Sequence, residues 1–286
     1  MTSSPVLIAS ITEMRSVLSE VRRAGKQIGL VPTMGALHEG HLSLVRACKA
    51  ECDCTVVSIY VNPTQFGPQE DFSKYPRTLS ADLNALADCN VDYVFAPSNE
   101  ELYPTGYCTW VEVGAEAEPL EGQCRPGHFR GVATVVLKLL DIVQPQAAYF
   151  GQKDYQQVLV IRRMVDDLNV PVKIRLCPIV REPDGLALSS RNRYLSSAAR
   201  KRASVLWNSL QLAEKLVAQG ECNAEKIVTQ MRQVVLDAED ARIDYIALVD
   251  PETLKPVKNI AARTLAALAV KIENTRLIDN LLIEPK

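Results

Sequence analysis

The chain contains three histidines, and two of them, His38 and His41, stand three residues apart in the run PTMGALHEGH at 32–41. Residues i and i+3 share a helical face, so both imidazoles can point into one space. The preceding Ile28, Gly29, Leu30 and Val31 read as a buried strand, which puts the pair where a strand feeds a helix. A helix start offers unpaired N–H groups and the positive end of the helix dipole. Gly35 and Gly40 let a ligand come close to the backbone. This is chemistry suited to the phosphate chain of a nucleotide. The plainer alternative is a capped helix with surface imidazoles.

Three further runs follow other strands. In FGQKDYQQ, at 150–157, Lys153 can neutralise phosphate charge, Asp154 can bind ribose hydroxyls or orient the lysine, and Gln157 can bind a polar substrate. The alternative is a capping motif with Asp154 as the N-cap and a solvated lysine. Ser189, Ser190 and Arg191 offer two hydroxyls and a guanidinium for a phosphate clamp, or form an ordinary helix-entry loop. NPTQFG at 62–67 presents Gln65, whose amide both donates and accepts, or is simply a turn built on Asn-Pro.

These runs need elements to position them. Besides the strand at 28–31, strands are expected at 55–61, 93–96, 147–150 and 173–180. Helices are expected at 40–51, around 81–87 and at 155–168. Val132, Val135, Val136, Leu139, Leu140 and Val143 recur at helical spacing. This βαβα alternation predicts an α/β fold, a Rossmann-like open parallel sheet covered by helices, over 1–182. The turn-forming Arg181-Glu182-Pro183-Asp184-Gly185 ends the pattern. Helices at 197–219 and 223–238, then strands at 243–249, 265–272 and 277–283, predict a smaller α+β domain, a lid, over 183–286. In open α/β sheets ligands bind beyond the carboxyl ends of the strands, so the first two turns should lie side by side.

Composition narrows the function. The 286 residues suit about two domains, and 47% hydrophobic with 23% charged residues is ordinary for a globular chain. Thirty-two Lys and Arg against 34 Asp and Glu leave a net charge of −2, so no global basic field recruits nucleic acid. No apolar run approaches a membrane span, and the Val6-Leu7-Ile8 patch has no basic residue before it, a poor signal peptide. Cys48, Cys52 and Cys54 lack a fourth zinc ligand at the usual spacing, and the eight cysteines read as free thiols of a cytosolic protein.

In order along the chain, PTMGALHEGH, NPTQFG, YPRTL, EGQCRPGHFRGV, FGQKDYQQ and SSRNRYLS closely resemble the pantothenate synthetase (pantoate–β-alanine ligase) family, within the HxGH nucleotidylyl-transfer superfamily. The resemblance covers about residues 26–200. It implies ATP-dependent condensation of (R)-pantoate with β-alanine through an enzyme-bound pantoyl adenylate, releasing AMP and pyrophosphate. It also implies Mg²⁺ and a cytoplasmic homodimer. Carried over by position, Met34, Gly35, Ala36, Leu37, His38, Glu39, Gly40 and His41 line the ATP site. Gly151, Gln152, Lys153, Asp154, Val180, Leu188, Ser189, Ser190 and Arg191 complete it. Gln65 contacts pantoate and β-alanine, Gln157 contacts pantoate, and Arg125 and His128 lie near the pocket. Asp82 matches an acidic position linked to Mg²⁺. Gln152 stands where the family often has an acid, Leu188 where it usually has Met, and Ala81 where some relatives have a second carboxylate.

Charge builds on phosphoryl oxygens as an acyl carboxylate attacks the α-phosphorus, so His41, Lys153 and Arg191 are the expected catalytic groups. The alternatives are an HxGH nucleotidylyltransferase acting on a phosphorylated metabolite, which gives no reason for the glutamine pair, and a non-catalytic nucleotide sensor, which gives none for the retained cations.

Overall fold

The computed structural model describes residues 4–285. Their strands are β1 (Val6–Ile8), β2 (Ile28–Thr33), β3 (Cys54–Ile59), β4 (Tyr93–Phe95), β5 (Ala147–Gly151), β6 (Lys173–Cys177), β7 (Ala241–Val249), β8 (Thr264–Ile272) and β9 (Thr275–Ile283). The helices are α1 (Ile11–Arg23), α2 (Glu39–Glu51), α3 (Leu79–Asp88), α4 (Asn99–Leu102), α5 (Glu121–Cys124), α6 (His128–Val143), α7 (Tyr155–Asp167), α8 (Ser197–Arg202), α9 (Val205–Ala218) and α10 (Ala224–Leu236). Among the described residues, no helix is long and apolar enough to cross a membrane.

Two units divide the chain. The first runs to Gly151 and resumes over Gln157–Pro178, and the second joins Gln152–Gln156 to the chain from Ile179 onward. A single linear boundary near 182 does not contain this division, because five residues just after β5 pack with the second unit.

In the first unit a parallel sheet runs in the order β1-β4-β3-β2-β5-β6. Its central strands are almost wholly buried, as expected when helices cover both faces. Alternate side chains serve opposite layers. Leu30 and Val56 pack with Met14 and Leu18 of α1 and the apolar face of α6, while Val31 and Val57 pack with Val45 and Cys48 of α2. All six of the residues at helical spacing between 132 and 143 are buried. Gly29 is required by packing, since a Cβ there would lie 2.2 Å from Cys48 Sγ. From β2 the chain builds outward to β3 and then β4. The next strand, β5, joins the other side of β2, so the strand order reverses between β2 and β5. Crevices form at such reversals, beyond the strands' carboxyl ends.

Sequence reading passed over the short elements β1, α4 and α5 and the longer α1. β1 is a three-residue edge strand, and α1 fully buries only Met14 and Leu18 amid charged residues. β6 stops at Cys177, short of the expected 180, because Pro178 has no N–H for the ladder.

The second unit holds an antiparallel sheet, β7-β8-β9, covered by α9 and α10. The expected helix at 197–219 is two helices. The break falls at Ala203 and Ser204, where the Ser204 hydroxyl donates to Lys201 O (3.0 Å) and competes with the helix ladder.

Candidate functional site

At the carboxyl end of β2 the chain makes a turn through two successive left-handed residues. Gly35 takes φ +77°, and a Cβ there would lie 3.0 Å from Ile59 Cγ2 and 3.1 Å from Asp82 Oδ2. Ala36 follows, also left-handed at φ 51° and fully buried, a conformation that L residues adopt at a cost. The Asp82 carboxylate of α3 holds both residues after the glycine in place. Its Oδ2 accepts from Ala36 N (3.0 Å) and its Oδ1 from Leu37 N (2.8 Å), with the Thr78 hydroxyl at 3.2 Å. Asp82 is 3% exposed.

With two backbone donors and a hydroxyl on its oxygens, Asp82 is the clamp of the turn. Among the described residues, no group of three or more His, Cys, Asp or Glu side chains is gathered to hold a metal. The eight cysteines are free. Burial pushes the Cys48 and Cys54 thiols up to about 12, so they stay protonated and inert.

The turn delivers His38 as the N-cap of α2. His38 Nδ1 accepts from Gly40 N (3.2 Å), and His41 Nδ1 accepts from His38 N (3.4 Å), a reciprocal capping box built from imidazoles. The ring centroids are 4.1 Å apart. Because both Nδ1 atoms accept, each neutral ring carries its proton on Nε2. The histidines cap the helix, and in a neutral ring an accepting Nδ1 leaves the proton on Nε2. Glu39, expected beside them, is exposed and ion-paired with Arg46.

A second loop meets the first within the same unit. After β3, Asn62 caps the short turn Pro63–Gln65 through Thr64 N (3.4 Å). Its Nδ2 donates to Gln65 Oε1 (3.1 Å) and to Gly131 O (3.1 Å). Gln65 Nε2 donates in turn to Met34 Sδ (3.2 Å), so two predicted site residues touch.

Gln65 is also gripped by its backbone. His128 Nδ1 donates to Gln65 O (2.8 Å), while its Nε2 accepts from Arg125 Nη1 (3.0 Å). Burial and then the Arg125 charge push His128 down to about 4, so it stays neutral, as this bridge requires. Arg125 donates from Nε and Nη2 to the two Glu70 oxygens (2.7 and 2.8 Å). Burial opposes ionisation of Glu70, but these bonds and the Arg125 charge outweigh it and hold the carboxyl at about 2. The sequence reading missed Glu70, and it placed Arg125 and His128 near the pocket without this role.

Gly151 ends β5 with open space where a Cβ would stand, and Gln157 is half-buried on α7. Both belong to the first unit. With β3 and β5 on either side of β2 in a parallel sheet, the segments that lead to Gln65 and to Gln157 both leave carboxyl ends next to that of β2.

The remaining predicted residues belong to the second unit. Gln152–Asp154 form a short 3₁₀ turn in which Lys153 is half-buried and Asp154 exposed. Asp154 directly precedes α7, and Asn280 holds the turn before it, with Asn280 Nδ2 donating to Gln152 O (2.9 Å) and Lys153 O (3.0 Å). Val180 O accepts from Leu188 N (3.0 Å), which brings those two expected residues together. Ser189 Oγ accepts from Arg191 N (3.3 Å) and caps the turn Ser190–Tyr194. Asn280 was missed, although the polar Asp279-Asn280 pair inside the apolar run LIDNLLI was a visible signal.

Comparisons with known proteins place the chain in a family. A family model described as pantoate-beta-alanine ligase matches residues 6–282. The pantothenate synthetase of Moorella thermoacetica is 54% identical over 278 residues, covering 97% of this chain and 98% of that protein. That of Thermosipho africanus is 55% identical over 277 residues, covering 97% and 99%. Among solved structures, pantothenate synthetase from Thermus thermophilus is similar with a TM-score of 0.94 and 46% identity, over 98% of this chain and 100% of that one. Pantoate-beta-alanine ligase from Francisella tularensis, complexed with beta-gamma ATP and beta-alanine, is similar with a TM-score of 0.82 and 38% identity, over 97% of each chain.

Proposed function

The chain belongs to the pantoate-beta-alanine ligase family, and from that premise we propose how its residues divide the work of joining (R)-pantoate to β-alanine with ATP. In the first step a pantoate carboxylate oxygen attacks the α-phosphorus. The bond to the bridging oxygen breaks, and pyrophosphate leaves with its electron pair. In the second, the neutral amine of β-alanine attacks the acyl carbon of the pantoyl adenylate, the bond to AMP breaks, and the amine loses a proton. No nucleophile from the protein is needed.

The observation that carries this reading is the reciprocal histidine cap, which fixes two Nε2–H donors beside the start of α2. Donors and dipoles fixed before reaction stabilise developing phosphoryl charge without reorganisation. His38 and His41 hold the phosphate oxygens, with Lys153 and Arg191 supplying cationic charge. Gly151 and the backbone of 34–40, 152, 154, 180 and 188–190 border the nucleotide. Gln65 and Gln157 bind pantoate, and Gln65 later meets β-alanine. The rival nucleotidylyltransferase reading is not favoured, because the match to the ligase family runs through both units over 6–282.

Pyrophosphate exchange tests the order of chemistry. Labelled pyrophosphate should enter ATP when pantoate is present without β-alanine. Exchange that requires β-alanine would overturn the acyl-adenylate step.

Mg²⁺, in this reading, is carried by the phosphate oxygens of the nucleotide, in keeping with its preference for few carboxylates plus substrate phosphates. Asp82→Asn should then leave the Mg²⁺ requirement unchanged. It should cost about 1–3 kcal/mol of stability in urea unfolding, because two buried N–H groups lose charged acceptors. Parent-like stability with a raised Mg²⁺ requirement would restore the metal role. The family resemblance further implies a cytoplasmic homodimer. A light-scattering mass of one chain at micromolar concentration would reject the dimer, and recovery in a membrane fraction would reject the location.

A further inference from the structure

β9 buries two adjacent polar residues, Asp279 and Asn280, at 2% and 3% exposure. Burying such groups is costly unless every polar atom finds a partner, and here they do. Asp279 accepts from Arg181 Nη1 (2.6 Å) and Nη2 (3.0 Å), and its Oδ1 also accepts from Asn280 N (2.7 Å). Arg181 is itself fixed. It donates to Gly185 O (2.9 Å), and its guanidinium lies 3.9 Å from the centre of the Trp207 ring. Gly185, at φ +90°, leaves room for that ring, since a Cβ there would lie 1.8 Å from Trp207 Cδ1.

This rigid base presents the Asn280 side chain to one target. Nδ2 donates to Gln152 O (2.9 Å) and Lys153 O (3.0 Å), and Oδ1 accepts from Gln152 Nε2 (3.3 Å). A three-residue 3₁₀ turn has weak hydrogen-bond geometry of its own, so a buried amide that chelates two successive carbonyls fixes its course. We propose that Asn280 is a positioning residue for Lys153, holding the backbone from which the lysine reaches the nucleotide, with Arg181 and Asp279 as its support. The proposal rests on the reading of Lys153 as a phosphate cation. It also explains why 152–156 pack with the second unit, although β5 and most of α7 belong to the first.

The test is a double-mutant cycle on the full chain, read by pantoate-dependent pyrophosphate exchange. Misplacing a reacting group costs rate even when the group is retained. Asn280→Ala should therefore lower exchange about ten- to thirtyfold in the parent and less than about twofold in the Lys153→Ala background. An equal loss in both backgrounds, or none in the parent, would overturn the proposal. Asn280→Asp keeps the side-chain size but removes both donors and sets an anionic oxygen against two carbonyls. It should be at least as impaired as the alanine variant, and it carries the same cycle if the latter does not fold. If Lys153→Ala itself keeps parent activity, the role of Lys153 falls. If Lys153→Ala is crippled and Asn280→Ala is not, only the positioning role falls.

Discussion

Lys153→Ala should lower the rate of pantoate activation by about 10²–10³, or roughly 3–4 kcal/mol, with the fold intact. The size follows from where charge appears. As the α-phosphorus is attacked and pyrophosphate departs, negative charge grows on oxygens that a fixed cation can meet, so its loss is felt more in the transition state than in the ground state. Lys153 is half-buried, and a buried amide holds the carbonyl of the turn from which its side chain leaves. Single-turnover formation of pyrophosphate, with circular dichroism to confirm folding, is the measurement. A folded variant within about threefold of the parent would return Lys153 to the solvated surface.

The second large effect separates the acid pocket from the nucleotide pocket. Gln65→Ala and Gln157→Ala should each weaken pantoate use about ten- to a hundredfold. Removing an amide leaves a bound hydroxyl or carboxylate unsatisfied, at about 1–3 kcal/mol. ATP affinity measured without pantoate should barely change. In the structure the Gln65 amide donates to a thioether sulfur, a weak acceptor that a substrate oxygen can replace, while its backbone carbonyl is anchored by His128. His41→Ala and Arg191→Ala should instead damage the nucleotide step. Calorimetric ATP titrations and pantoate saturation curves on the four variants decide the matter. Glutamine variants that lose ATP binding as badly as Arg191→Ala would end the proposed division.

Much of this molecule is local in origin and was legible in the chain. A buried apolar run such as 28–31 forms a central strand because helices must cover both of its faces. The spacing of Val132, Val135, Val136 and Leu139 forces one face of α6 into the core. The H-x-G-H run starts a helix directly after a strand, so its position at a carboxyl end followed from order alone. The misses are weak local signals, such as the short edge strand β1, the charge-broken α1, and the serine at 204 that splits one expected helix into two.

Partnership between distant residues was decided only by tertiary structure. Asp82 was linked to Mg²⁺ only by the family resemblance, and a carboxylate in a sequence does not reveal its donors. Folding brought it to Ala36 N and Leu37 N, 46 and 45 positions away, and made it the clamp of the turn. The histidine tautomers depend on caps whose geometry appears only when the turn at Gly35 and Ala36 is fixed. Lys153 read as part of the sheet domain because it follows β5 directly, yet its carbonyl is held by Asn280, 127 residues later. Residue types and spacing determined which groups could do chemistry and at which strand ends they would stand. Hydrogen bonds across long separations decided which of those groups remain available and which are spent holding the others, because a buried donor or acceptor must be satisfied by whatever the fold brings to it.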